Sequence, residues 1–400
     1  MTKKLLTALV ALGLLLGIAA CGSSSDSTSS GSETSSETTT EESSGGGAAG
    51  ELMGDSKYST PSEESAAEGE EKGEEAAGKP AKLPAIKVGF LQIAGTIESA
   101  RRSEYEYVTA AKALGWTPVT CDAQGLPTGF TNCMSTLLNQ GVKAITTIGI
   151  EPSLITAQIK QAEAKGVPVV EFAAQVKLGD YSGAYYPDEA KAGEQASKFF
   201  IEELEARGGG EIVEHTYPAG FAEERLAQLT DSLKGNSNIS VAQKLTVEVA
   251  DPVGSAAKAT ETAITQFPNL AGIFDSFDTA VAGDAQAIAT KLPGKTGEEI
   301  PLLVGFNANL GTQQYMRKGI IAAVSDDNYA AGGWVAADQL AQFFARETPI
   351  SKEPRPKYPI EFQAPKLVTA EELPEEETYV PSESNYQAFF SAKWKKEFGL

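Results

Sequence analysis

The sequence predicts an α/β protein of two doubly wound parallel-sheet lobes joined by a three-crossover hinge, and three observations lead there. Short apolar, β-rich runs alternate with helical stretches from Ile86 to Phe344, the rhythm of parallel strands covered on both faces by helices. The alternation has too many units for one small sheet. At 400 residues, 41% of them hydrophobic, the chain is long enough for two domains, each with a core, and a tail.

The elements run in order. Ile86–Ile93 is the first strand, followed by a helix to about Leu114 with Tyr105, Val108, Ala111 and Leu114 on one stripe. Trp116–Cys121 is a strand. A helix marked by Phe130, Met134, Leu137 and Leu138 ends at Gly141. Ala144–Ile150 is a buried strand. Pro152 opens a helix, Gly166 closes it, and Val167–Phe172 is the next strand. The pattern then repeats. Helices over Asp188–Arg207, Phe221–Leu233, Ser255–Phe267, Ala280–Leu292 and Ala331–Phe344 alternate with strands over Glu211–Tyr217, Val241–Val249, Ala271–Phe274, Pro301–Phe306 and Ile320–Val324. Open sheets of this kind place ligands beyond the carboxyl ends of their strands, so a cleft between two lobes is the expected site. Crossovers are expected near Ala184–Asp188, Asp326–Ala330 and Tyr358–Phe362.

Ahead of the body lies an address. Lys3 and Lys4 precede an apolar run from Leu5 to Leu16, and a small-residue boundary ends at Cys21, the anatomy of a secretory signal. The run is too short to span a membrane comfortably. Ile18-Ala19-Ala20-Cys21 resembles a bacterial lipobox, which implies cleavage before Cys21 and lipidation of its thiol. A plain signal peptide with an incidental cysteine is the alternative. Residues 22–84 are Ser, Thr, Gly, Glu and Ala with almost no large apolar residue, a composition that cannot offset its ordering entropy. The expected organisation is a signal peptide (1–20), a disordered linker (21–84), an N-terminal lobe (85–186 and 328–358), a C-terminal lobe (187–327 and 359–374) and a C-terminal extension with a helix (375–400).

The net charge of −21 argues against a nucleic-acid partner, whose phosphates need a basic surface. It argues equally against a body that hugs anionic lipid. One histidine and three cysteines leave little material for a metal site, and neither metal nor cofactor is expected. GxSxG and GxxxxGKS/T are absent from the sequence. His215, at a strand end, has no evident triad. No enzyme is expected.

Several stretches, in order and at matching spacing, resemble the type I periplasmic binding proteins, specifically the sugar-binding subgroup of ABC importers. IKVGFLQIAG opens the body as the family's first strand does. TPVTCDAQG and NQGVKAITTIG, Lys165-Gly166-Val167-Pro168-Val169-Val170, FPNLAGIFDSFDTAVAGDAQAI, PLLVGFNAN and KLVTAEEL follow. Phe221-Ala222-Glu223-Glu224-Arg225 sits where the family places an arginine early in a helix. The resemblance covers about Ala85 to Leu373.

It implies ligand-binding residues. Arg225 falls where sugar binders fork a guanidinium onto ligand hydroxyls, and Asp278 on an acid that accepts hydroxyl hydrogens. Asp326 falls where an Asn or Gln often stands near a crossover. Simpler roles stay open: Arg225 pairing with a surface Glu, Asp278 capping the helix at Ala280. Asn307 replaces the usual Asp. Ala173-Ala174-Gln175 stands in place of an Asp-Arg pair, and the loop Ala94–Ser99 lacks the Asn and paired aromatics that stack on sugar rings. Gln92, Thr96, Glu98 and Phe172 are positional candidates, with loop packing or core as their alternative.

Cys121 and Cys133 are expected to form a disulfide, which an oxidising compartment allows; two buried free thiols are the alternative. Tyr386, Phe389, Phe390, Trp394 and Phe398 place a terminal helix at the end of the chain, docked on a lobe or offered to a partner. The sequence is thus expected to encode a monomeric, membrane-anchored, extracytoplasmic solute-binding protein. It would close on a small polar, sugar-like molecule and deliver it to the membrane subunits of an ABC importer. A receptor feeding a sensory kinase or chemoreceptor is the alternative.

Overall fold

Lys87–Gln92 (β1) is an alternation-free apolar strand, buried from its second residue onward, and such a strand must lie inside a sheet covered on both faces. In the computed structural model it does. The structure describes residues 62–375, 378–382 and 384–400. The signal segment, Cys21 and most of the expected linker lie outside the described residues. Among the described residues no helix is long and apolar enough to cross a membrane.

After a first helix, Glu63–Ala76 (α1), the chain winds the first sheet. The elements are β1, Glu98–Ala113 (α2), Thr117–Asp122 (β2), Pro127–Asn139 (α3), Ile145–Ile148 (β3), Thr156–Ala164 (α4), Val169–Phe172 (β4) and Gly183–Tyr185 (β5). The strand order is β2-β1-β3-β4-β5, parallel throughout. Glu189–Ala206 (α5) leads into the second sheet. Gly210–Thr216 (β6), Gly220–Ser232 (α6), Ile239–Thr246 (β7), Pro252–Gln266 (α7), Leu270–Asp275 (β8), Asp278–Lys291 (α8), Leu302–Phe306 (β9), Leu310–Arg317 (α9) and Ala323–Asp326 (β10) repeat the winding. Gly332–Arg346 (α10), Lys366–Val368 (β11) and Tyr386–Phe398 (α11) complete the chain.

The second sheet runs β11-β10-β9-β8-β6-β7. It is parallel except at one edge, where β11 pairs antiparallel with β10. There Val368 pairs with Val324 and closes the edge, capping an open row of backbone groups. Both sheets reverse direction beside their first strand, between β1 and β3 and between β6 and β8. This is the switch point at which wound sheets open a crevice.

α2 buries Tyr107 between Phe90 and Phe172, with ring centroids 5.7 and 6.1 Å away. The buried face is therefore centred on Ser103, Tyr107, Ala110 and Ala111, not on the stripe through Tyr105 and Val108. Glu104 and Glu106 are buried too, because partners take their charge. Glu104 accepts from Gln92. Glu106 accepts from the Trp334 indole at 2.6 Å and the Tyr386 hydroxyl at 2.7 Å.

α10, although it follows β10 of the second sheet, packs on α2 and β4 of the first. On it docks α11, with Trp394 stacked on Trp334 at 5.3 Å and an interplanar angle of 10°. Lys393, buried, donates to Asp338 at 2.6 Å and to Glu397 at 3.1 Å, so no charge in that seam is left alone.

The expectation of a disordered linker through 84 is corrected for its last third. Residues 63–76 form α1, packed along α11. Ser62 caps it by accepting from the Ser65 amide. Gly69 and Gly73 are its buried residues; a Cβ at Gly73 would run into the Phe389 carbonyl. A polar sequence with glycines four apart thus becomes helical by close backbone approach, which composition does not reveal.

Cys121 of β2 and Cys133 of α3 are joined by a disulfide with Cα atoms 5.6 Å apart.

Candidate ligand-binding cleft

The cavity lies where both switch points meet. Nine wall residues stand at or just past a strand end: Ile93 after β1, Ile148 and Gly149 at the end of β3, Ala173 and Ala174 after β4, Tyr217 after β6, Phe277 and Asp278 after β8, Asn307 after β9. Ile97, Ser99 and Ala100 come from the start of α2, Glu189 from α5, and Phe221 and Arg225 from α6. Tyr329, from the crossover after β10, closes one side. The cavity volume is about 50 Å³.

Arg225 is 4% exposed. Its Nε donates to Glu189 at 2.6 Å and its Nη1 to the Ser276 carbonyl at 3.0 Å. Nη2 stands 3.8 Å from Asp327. The guanidinium lies over the Phe306 ring at 4.3 Å and the Phe221 ring at 5.0 Å, a cation held by aromatic faces as well as by carboxylates. Burial raises the Glu189 carboxyl above its usual range, against the pull of Arg225. Burial, then the Glu189 charge, pushes Asp327 well up.

Asp278 opens α8 and accepts from the Asn309 amide, which in turn accepts from the Tyr329 hydroxyl at 3.0 Å. Burial pushes its carboxyl up to about 6, with Ser99 and Arg225 pulling the other way. Tyr217, Phe221 and Phe277 form an aromatic floor with centroids 4.2 to 5.8 Å apart. The Tyr217 hydroxyl and one Glu189 oxygen are buried there with no hydrogen-bond partner. Buried polar atoms are rarely left so.

Of the eight ligand candidates, Arg225, Asp278 and Asn307 come together on the cavity wall. Asn307 takes a left-handed backbone, φ 55°, and its amide reaches Asp327 at 3.3 Å. The other five are placed elsewhere, each for a physical reason. Asp326 is spent on the Ala308 amide at 2.8 Å. Gln92 turns inward to Glu104. Phe172 is fully buried between Phe90 and Tyr107. Thr96 is exposed in the loop before α2. Glu98 accepts the Leu310 and Gly311 amides at 2.7 and 3.1 Å.

Glu189, Tyr217, Phe277 and Tyr329 were not foreseen. Phe277 and Tyr217 carry a signal in retrospect: each directly follows a β-rich run, the position wound sheets expose. Glu189 and Tyr329 carry none, since a crossover becomes a wall only when both sheets are in place.

Below the floor, His215, Asp275 and Asp284 bring one ligand atom each within 4.8 Å of one another. The group is knit internally. Asp284 meets His215 Nδ1 at 3.0 Å and accepts the Thr260 hydroxyl at 2.7 Å. Burial, then the Asp284 charge, holds Asp275 well above the usual carboxylate range.

Two wound sheets presenting strand ends, arginine, carboxylates and aromatic rings to one enclosed gap define a two-lobed binding protein. The profile of the family described as periplasmic binding protein domain matches residues 100–347. The chain belongs to that family, whose members bind solutes for transport and are not enzymes. It is similar to the ribose import binding protein RbsB of Bacillus subtilis, 24% identical over 221 residues that make up 55% of this chain and 67% of that protein. It is also similar to a xylitol-binding protein of Mycolicibacterium smegmatis, 29% identical over 75 residues, 19% of this chain and only 22% of that protein. In structure it resembles an ABC transporter solute-binding protein from Burkholderia graminis in complex with D-arabinose. The TM-score is 0.65 at 19% identity, covering 75% of this chain and 99% of that one.

Proposed function

We propose that the protein is a lipid-anchored, extracytoplasmic solute-binding protein. It closes its lobes on one small sugar-like molecule and delivers it to an ABC importer, acting as a monomer. The observation that carries the reading is the pairing, on one enclosed wall, of Arg225 with Asp278 above the rings of Tyr217, Phe221 and Phe277. A guanidinium donates to hydroxyl oxygens, a carboxylate accepts their protons, and ring faces cover the C–H faces of a sugar or polyol. The similar proteins named above bind ribose, xylitol and D-arabinose by their names, which favours a polyhydroxylated solute. Lys3, Lys4, the apolar run and the lipobox-like Ile18–Cys21 support the anchor and the compartment.

Thermal unfolding of the purified mature chain against sugars, polyols, nucleosides, amino acids and small acids tests the capture step. A solute present at a hundred times its Kd adds about 2.7 kcal/mol, a shift of several degrees. Silence from every sugar and polyol overturns the reading.

A further inference from the structure

The two walls of the cleft are chemically unlike. On the first-sheet side the side chains are those of Ile93, Ile97, Ala100, Ile148, Ala173 and Ala174. The one polar side chain there, Ser99, is engaged by Asp278. The backbone offers little more: the Gly149 amide is taken by Glu171 and the Ala173 amide by the Tyr185 carbonyl. The second-sheet side holds Arg225, Glu189, Asp278 and Asn307 together with the unpartnered Tyr217 hydroxyl.

We propose that the ligand is a small hydroxylated molecule with one deoxygenated edge, a deoxy-sugar or partly reduced polyol, bound with that edge against the wall of Ile97, Ile148 and Ala173. This rests on the capture function proposed above and deepens it. A hydroxyl pressed on that wall gives up its water and finds no partner, whereas a methyl or methylene gains contact. Hydroxyls at the other end satisfy Tyr217 and the free Glu189 oxygen. Glu189, Asp278 and Asp327 outnumber the one guanidinium beside them, so an anionic solute is disfavoured as well. The volume of about 50 Å³, room for about four waters at roughly 10–15 Å³ each, favours the smaller members of the class.

Calorimetry on the mature chain with matched pairs decides it: 2-deoxy-D-ribose against D-ribose, L-fucose against L-galactose, and 1,2,4-butanetriol against erythritol. The expected result is at least one pair in which the deoxygenated member binds more tightly, by roughly ten- to a hundredfold. Two variants add polarity to the wall. Ala173 already sits at φ 71°, a conformation asparagine accepts readily, so Ala173→Asn places an amide there without backbone strain. Ile97→Thr does so at the loss of one methyl group. Each should narrow or reverse the preference. If the fully hydroxylated members bind as well or better in every pair, the deoxygenated edge is wrong and solute capture stands. If no sugar or polyol binds at all, the capture function itself falls. Preference for a small alkylammonium over every pair also overturns the proposal.

Discussion

Glu98, the first residue of α2 on one lobe, accepts the backbone amide of Leu310, the first residue of α9 on the other, at 2.7 Å. The same carboxylate takes Gly311 at 3.1 Å and the Tyr379 hydroxyl at 3.3 Å. A carboxylate at a helix N-terminus satisfies orphan amides and meets the positive end of the helix dipole. Here the helix belongs to the opposite lobe, so the cap exists only while the lobes are together. Glu98→Ala should therefore weaken ligand affinity by roughly three- to thirtyfold, the worth of a cap, although Glu98 does not line the cavity. Small-angle scattering should show a larger radius of gyration for the variant. Unchanged affinity and size would remove the latch.

Asp278 gives the cleft a pH dependence with two opposing slopes. Its carboxyl is pushed up to about 6 in the fold from its ordinary 3.8. Between those values the folded chain holds a proton that the unfolded chain has lost. Its contribution to stability is thus full below 3.8 and is lost as pH rises through 6. Affinity for a hydroxyl-donating ligand runs the other way, since the ionised group is the stronger acceptor. Titration calorimetry should show affinity flat above pH 7 and falling below 6. Asp278→Asn should flatten both slopes between pH 4 and 6, leaving only what Glu189 and Asp327 contribute.

Arg225→Ala leaves Glu189 and Asp327 buried without their cation. Breaking a buried pair by removing one partner costs about 3–5 kcal/mol. Urea unfolding should show that loss, together with loss of binding. Arg225→Lys should recover part of the stability and little of the binding, because an ammonium cannot serve Glu189, Ser276 and a ligand from one plane.

Replacing Cys121 and Cys133 by serine opens a short loop between β2 and α3. The loop-entropy account values such a closure at roughly 3 kcal/mol. Thermal unfolding of the Ser/Ser variant should start lower, with ligand affinity unchanged because neither sulfur reaches the cavity.

Gly73→Leu should lift α1 off α11, since even a Cβ meets the Phe389 carbonyl. Limited proteolysis between Ala76 and Lys87 should become fast, while β1 and the cleft stay protected.

Most strands and helices were legible because burial on both faces writes continuous apolar runs, as in Ile145–Ile148 and Leu302–Phe306. The short strands β5 and β11, three residues each, carry too little pattern to be read. α2 misled in detail: Glu104 and Glu106 are buried because their partners come from β1, α10 and α11, which no local periodicity encodes. In the cleft, the family resemblance pointed to Arg225 and Asp278, and both line the cavity. Glu98 and Asp326 look equally suited to a ligand on paper, yet backbone amides consume them. Only the folded chain shows which carboxylates are spent.

The segment after β11 adds a fourth thread between the lobes. Gln313 of α9 donates to the Thr378 carbonyl at 2.9 Å, Tyr379 lies under the Arg102 guanidinium at 4.2 Å, and the chain ends in α11 on the first lobe. A chain segment tied to both lobes can span only so far per residue, so it limits how far they can part. The aperture would then be a property of this strap's slack, and shortening it by a residue or two would trade speed of capture against time of residence.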